Sequence, residues 1–88
     1  MSRKVYVSVG VEMGNDGRML PRKLVWVDGT EYEIDRVIDI RSALSAKVGG
    51  QGERYTVEIL GRRRYLFFER SDNLNGPVLG KWFVEGRT

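Results

Sequence analysis

Val5, Val7, Val9, Val11 and Met13 alternate with Lys4, Tyr6, Ser8, Gly10 and Glu12. Period-two alternation over so long a stretch predicts a strand with one face toward a core. Gly14-Asn15-Asp16-Gly17 then supplies the residues that tolerate tight turns. Pro21 has no N–H to give to a ladder, so the next strand is expected to begin after it, as Lys23–Val27. Asp28-Gly29 between apolar segments predicts a hairpin with a type I′ turn.

The segment Thr30–Arg41 places Tyr32, Ile34, Ile38 and Ile40 on one face and Glu31, Glu33, Asp35, Asp39 and Arg41 on the other. Arg36 interrupts the apolar face and Val37 the polar one, which predicts a bulge or bend near Arg36. Left in the apolar register, Arg36 needs a carboxylate partner, because a buried unpaired charge is costly; a structural salt bridge is favoured over a rim position lining a shallow groove. Ser42–Lys47 is the only stretch with helical character, and it amounts to a single turn. Val48–Glu53 contains Gly-Gly-Gln-Gly and reads as a loop. Arg54–Leu60 alternates again with Tyr55, Val57 and Ile59 inward, Gly61-Arg62 turns the chain, and Tyr65–Glu69 follows. Ser71–Gly80 is a turn-rich loop before a last strand, Lys81–Glu85, and the final three residues are expected to fray.

Short connections between successive strands predict antiparallel pairing. The expected fold is all-β: one domain over residues 1–88, a small antiparallel meander barrel or strongly curled sheet of about six strands. Curling buries the large side chains and removes exposed edges. Trp26, Trp82 and Phe83 either form an exposed stacking surface or supply the bulk of that core, and the core is preferred for Trp82 in particular.

Composition narrows the chemistry. There is no cysteine and no histidine, which removes thiolate nucleophiles, Ser–His and Cys–His pairs, and the commonest metal ligands. The carboxylates of Glu31, Glu33 and Asp35 share one strand face opposite Tyr32 and Ile34, where solvent rather than burial surrounds them. Paired acid and base catalysis needs environments that separate two pKa values. No enzymatic activity, cofactor or metal is therefore expected. Gly49–Gly52 lacks the Lys-Ser/Thr and the helix of a phosphate loop. The basic start and apolar stretch at the N-terminus alternate like a strand and carry no cleavage motif, and no run is long enough to span a membrane. The expected compartment is the cytoplasm, with no membrane partner.

Fifteen Lys and Arg against 12 Asp and Glu give a net charge of +3, which permits a nucleic-acid partner. The stretch Gly61–Arg70, GRRRYLFFER, concentrates that charge. In one reading Arg62, Arg63 and Arg64, with Arg54 and Lys47, contact a phosphate backbone while Tyr65 and Tyr55 stack on bases. In the other, the arginines are a solvated hairpin tip and Tyr65–Phe68 supply both faces of a sheet. Alternation favours the second, since half of those aromatics must face inward. A protein partner or a second copy of the chain is the alternative to nucleic acid. At least one of Phe83 and Val84 must face away from the core, so this partner would use an outward apolar patch around Phe83, or an open sheet edge.

The segments PRKLVWVDGTEYEIDRVIDIR, RYTVEILGRRRYLFFE and KWFVE, in this order across residues 21–85, resemble a group of short uncharacterised bacterial all-β proteins of unknown function. The Trp-turn-Tyr start and Trp-containing last strand are similar to small β domains encoded near error-prone DNA polymerases. That second resemblance implies a link to DNA, although the loops and charges differ. Neither resemblance carries over a functional residue. The expectation is a small non-enzymatic binding or adaptor domain.

Overall fold

The computed structural model describes residues 2–42, 52–70 and 80–87. The strands are β1 (Ser2–Met13), β2 (Met19–Val25), β3 (Glu31–Glu33), β4 (Arg36–Ser42), β5 (Gly52–Ile59), β6 (Arg62–Arg70) and β7 (Gly80–Arg87). Every neighbouring pair is antiparallel, in the order β3-β2-β1-β7-β6-β5-β4. No helix occurs among the described residues. The seven strands curl strongly into a half-barrel.

One segment holds the curl. Residues 31–42 pair with β2 through β3 and with β5 through β4, so a single bent length of chain touches both ends of the strand order. At the bend, Ile34 N–H donates to the Arg22 carbonyl at 2.9 Å and Asp35 N–H donates to the Glu58 carbonyl at 2.8 Å. Ile34 itself is buried. The expected single strand Thr30–Arg41 is thus two strands, divided at Ile34-Asp35. The bulge falls between Val37 and Asp39, just past Arg36, and brings Val37 and Ile40 against the core. Arg36 is exposed and holds Glu58 at 3.4 Å, so the inward position considered for it is corrected. The bend and bulge spare the fold a buried guanidinium.

Three further expectations are corrected. Pro21 lies inside β2, buried, beside a register shift between Gly10 and Val11 where a missing N–H is tolerated. The Asp28-Gly29 turn is not type I′: Trp26 N–H donates to the Thr30 carbonyl at 2.8 Å and Gly29 N–H to the Trp26 carbonyl at 2.9 Å. This is a three-residue loop with glycine alone at positive φ, 89°. The same loop closes β1–β2, where Gly14 N–H donates to the Arg18 carbonyl at 2.8 Å and Gly17 has φ 82°. In each, the aspartate carboxylate accepts a backbone N–H two residues on, Arg18 from Asp16 and Thr30 from Asp28. Finally, Val11 and Met13 lie beyond the register shift and are exposed. The helical character expected at Ser42–Lys47 meets a strand at Ser42, and the remainder lies outside the described residues.

The concave face carries the main core: Leu24, Ile34, Tyr55, Val57, Leu66, Phe68 and Trp82. Trp82 is its hub, with the rings of Phe68 at 4.9 Å and Tyr55 at 5.1 Å. The convex face has a core of its own. Phe83 is 0% exposed, and it stacks on Phe67 with centroids 4.9 Å apart. Tyr6 meets Phe83 edge-on at 5.8 Å, and the Lys4 ammonium stands 4.9 Å from the Phe83 ring centre. Side chains from β1, β6 and β7 thus seal an aromatic pair on the outer surface.

Candidate nucleic-acid interface

The β5–β6 hairpin turns through Leu60 and Gly61, both at positive φ, 53° and 75°. This is the type I′ conformation, and its two-residue length fixes the register. Ile59 opposes Arg62, Glu58 opposes Arg63, Val57 opposes Arg64 and Thr56 opposes Tyr65. Alternation then divides the basic run. Arg62 and Arg64 share the concave side with Ile59 and Val57, whereas Arg63 and Tyr65 share the convex side with Glu58 and Thr56.

The concave side is not filled at this end. A trench of about 980 Å³ runs between the β2–β3 hairpin and the β5–β6 hairpin. Leu24, Val57 and Leu66 form its floor, Trp26 and Tyr32 stand on one side, and Leu60, Arg62 and Arg64 stand on the other. Trp26 and Tyr32 are half-buried and neither makes a ring contact with another described aromatic residue. The bend at Ile34-Asp35 positions these walls, because it ties β2 to the end of β5 two residues beyond Tyr32.

On the convex side, the Arg54 guanidinium lies 4.8 Å from the Tyr65 ring centre. Tyr65 is exposed. Arg54 Nε is buried and has no hydrogen-bond partner among the described residues. Arg41 sits directly across β4–β5 from Arg54 and gives its own Nε to Asp39 at 2.7 Å.

The distribution of ion pairs separates this hairpin from the rest of the surface. Lys4, Arg18, Arg22, Lys23, Arg36, Arg41 and Arg70 each hold a carboxylate, from Glu69, Asp16, Glu12, Glu31, Glu58, Asp39 and Glu53 respectively. Arg54, Arg62, Arg63 and Arg64 hold none among the described residues. Arg3 and Lys81 also have no ion pair among the described residues, and Lys81 instead stands over the Tyr6 ring at 5.5 Å. Among the described residues Arg36–Glu58 is the one ion pair that joins β4 to β5, and no carboxylate reaches the hairpin tip.

The candidate residues read from the sequence are divided accordingly. Arg62 and Arg64 border the trench from the concave side; Arg63 and Tyr65 also line its edge although alternation places them on the convex side, where Arg54 lies over the Tyr65 ring. Tyr55 is 3% exposed in the main core, so its assignment as a stacking group is corrected. Phe83 does face away from that core, but Phe67, Tyr6 and Lys4 cover it, and its assignment as an accessible partner contact is corrected too. Lys47 lies outside the described residues. The trench position of Trp26 and Tyr32 was not read from the sequence. Its signal was the irregularity at Arg36, which marks where the chain bends and opens the wall.

Over the convex aromatic pair, the Glu69 carboxylate accepts from Lys4 Nζ at 2.5 Å and from the Tyr6 hydroxyl at 3.1 Å. The Lys4 hydrogen bond holds the Glu69 carboxyl below its ordinary pKa. Desolvation, with the Glu69 hydrogen bond, pushes the Tyr6 hydroxyl up.

No helix among the described residues is long and apolar enough to cross a membrane. Comparison with protein-family models, with curated proteins and with solved structures returns no match.

Proposed function

We propose that this domain binds nucleic acid, without catalysis, through the β5–β6 hairpin. The observation that carries the reading is the set of four arginines, Arg54, Arg62, Arg63 and Arg64, left without carboxylates while their neighbours are paired. Guanidinium groups that hold no carboxylate are available to phosphate, and each phosphate neutralised releases counterions. Exposed Tyr65 under Arg54 adds a stacking surface beside that charge.

Fluorescence anisotropy with short DNA and RNA probes tests it, at about 50 and 200 mM salt, against an Arg62/Arg63/Arg64→Ala variant. Micromolar or tighter binding that weakens steeply with salt and is lost in the variant supports the proposal. Absence of binding at low salt overturns it. A protein partner is the second reading, favoured by the exposed side chains of Val11 and Met13 at the far end of β1.

A further inference from the structure

The trench has properties that a phosphate-binding surface alone does not require. Trp26 and Tyr32 present rings into it from one hairpin, and Arg62 and Arg64 border it from the other. Its floor is aliphatic, from Leu24, Val57 and Leu66. Glu85 is the one carboxylate residue among those lining it.

We infer that the trench takes the unpaired bases of a single strand, with Trp26 and Tyr32 stacking on them and Arg62 and Arg64 on the adjoining phosphates. This rests on the nucleic-acid reading and narrows it to single strands of no fixed sequence. Two arguments select this occupant. First, the lining carries Arg62, Arg63 and Arg64 against the single carboxylate residue Glu85, and none of the three arginines holds a carboxylate among the described residues, so the excess positive charge favours a negatively charged ligand. An uncharged apolar segment would leave these guanidinium groups without a counter-charge. Second, the walls are aromatic and the floor apolar, so the same ligand must also carry flat, weakly hydrated surfaces. A single strand has both along its length. A duplex keeps its bases stacked inside and presents mainly phosphate to such a trench. Among the described residues no Asn, Gln, Ser or Thr lines the trench, so stacking rather than base-edge reading sets the preference.

The test uses the intact protein and three fluorescein-labelled probes of equal length at about 50 mM salt. They are a mixed-sequence single strand, its duplex, and a strand of abasic deoxyribose phosphates. The single strand is expected to bind at least about tenfold more tightly than either of the others, since each stacked base contributes a factor of about 5 to 100. It is also expected to quench the Trp26 fluorescence, whereas Trp82 is enclosed in the core. Trp26→Leu and Tyr32→Leu variants should each lose about tenfold for the single strand and leave the salt dependence unchanged. Circular dichroism and thermal melting establish that the variants are folded, and the abasic comparison needs no variant. Equal binding of all three probes would overturn the inference while leaving the phosphate-binding reading intact. Failure of every probe to bind would overturn both.

Discussion

Glu58 and Arg63 face each other across β5 and β6, yet Glu58 gives its carboxylate to Arg36 on the other side, at 3.4 Å. The carboxylate has a choice of two guanidinium groups on one face of the sheet, and the bend before β4 delivers Arg36 to it. Arg63 is left free by that choice. Both ion-pair options are exposed, so neither contributes much to stability. The consequence is for charge at the hairpin.

An Arg36→Ala substitution should therefore release Glu58 to Arg63 and weaken nucleic-acid binding. The logarithmic salt slope should fall by about one phosphate contact. Adding Glu58→Gln to the same variant should restore the slope. If Arg36→Ala leaves both affinity and slope unchanged, Arg63 is not a phosphate contact.

Leu60 is the one described residue other than glycine at positive φ, and its side chain is 77% exposed. An aliphatic residue gains little from such a site and bears the left-handed strain, about 1 kcal/mol. Leu60→Asn, which makes Asn-Gly at a type I′ turn, should raise unfolding stability by about 0.5–1 kcal/mol. Urea denaturation measures it. Leu60 also borders the trench, so the same variant is expected to bind single strands less well even as it gains stability. The tension would explain a strained apolar residue at this position.

Phe83→Ala should cost about 3–5 kcal/mol, the penalty of a full core truncation, although Phe83 points away from the main core. That is a large part of the stability expected of a domain this small. Denaturant titration distinguishes the two roles considered for Phe83. An accessible contact residue would be replaced with little change in midpoint, whereas the sealed Phe67–Phe83 pair predicts a collapse of it.

Stability should decline at both ends of the pH scale. The Glu69 carboxyl is lowered by its hydrogen bond from Lys4, and that of Asp28 by the Thr30 backbone N–H. Lowered carboxyl values contribute stability that is fully present above the unfolded pKa, and this is lost as pH falls through the folded value. The acid loss thus begins as pH falls through the ordinary carboxylate range and is complete only below the lowered folded values. Tyr55 and Tyr6 are both raised, in each case chiefly by desolvation. Their contribution is full below the ordinary tyrosine value near 10 and is lost as pH rises through the folded one. Thermal melts from pH 3 to about 11 should show a broad plateau between the two declines. Glu69→Gln should soften the acid limb.

Most of the strands were legible because alternation is a local property of the chain. Val5–Val9, Tyr55–Ile59 and Lys81–Glu85 announce their faces without reference to any neighbour. Pro21 misled because its tolerance depends on the register shift in the partner strand, which no local pattern records. The Asp28-Gly29 turn misled because Asp-Gly suits both a two-residue and a three-residue loop, and Asp28 chose the latter by accepting the Thr30 N–H. Arg62, Arg63 and Arg64 were legible as a basic cluster. Their division between two faces needed the register, and their lack of partners needed the competition of Arg36 for Glu58. Alternation alone left open whether Phe83 or Val84 faces outward, and the burial of Phe83 depends on Tyr6 and Lys4, more than seventy positions away in sequence.

The pairing of β1 with β7 lies in the middle of the strand order, with β2 and β3 beyond one side and β6, β5 and β4 beyond the other. Every other pairing is between successive strands and forms over short stretches of chain. The centre of the sheet therefore waits on the most distant encounter in the molecule, Val5 with Val84 and Tyr6 with Phe83. Two locally wound halves should assemble early and meet across this seam in one slow, cooperative step. Refolding of Tyr6→Ala and Val84→Ala should slow accordingly, and weakening the Asn15–Gly17 loop, which closes before that step, should also slow refolding while leaving unfolding nearly unchanged. The junction that hides Phe83 from solvent would then also set the pace at which the chain becomes a sheet.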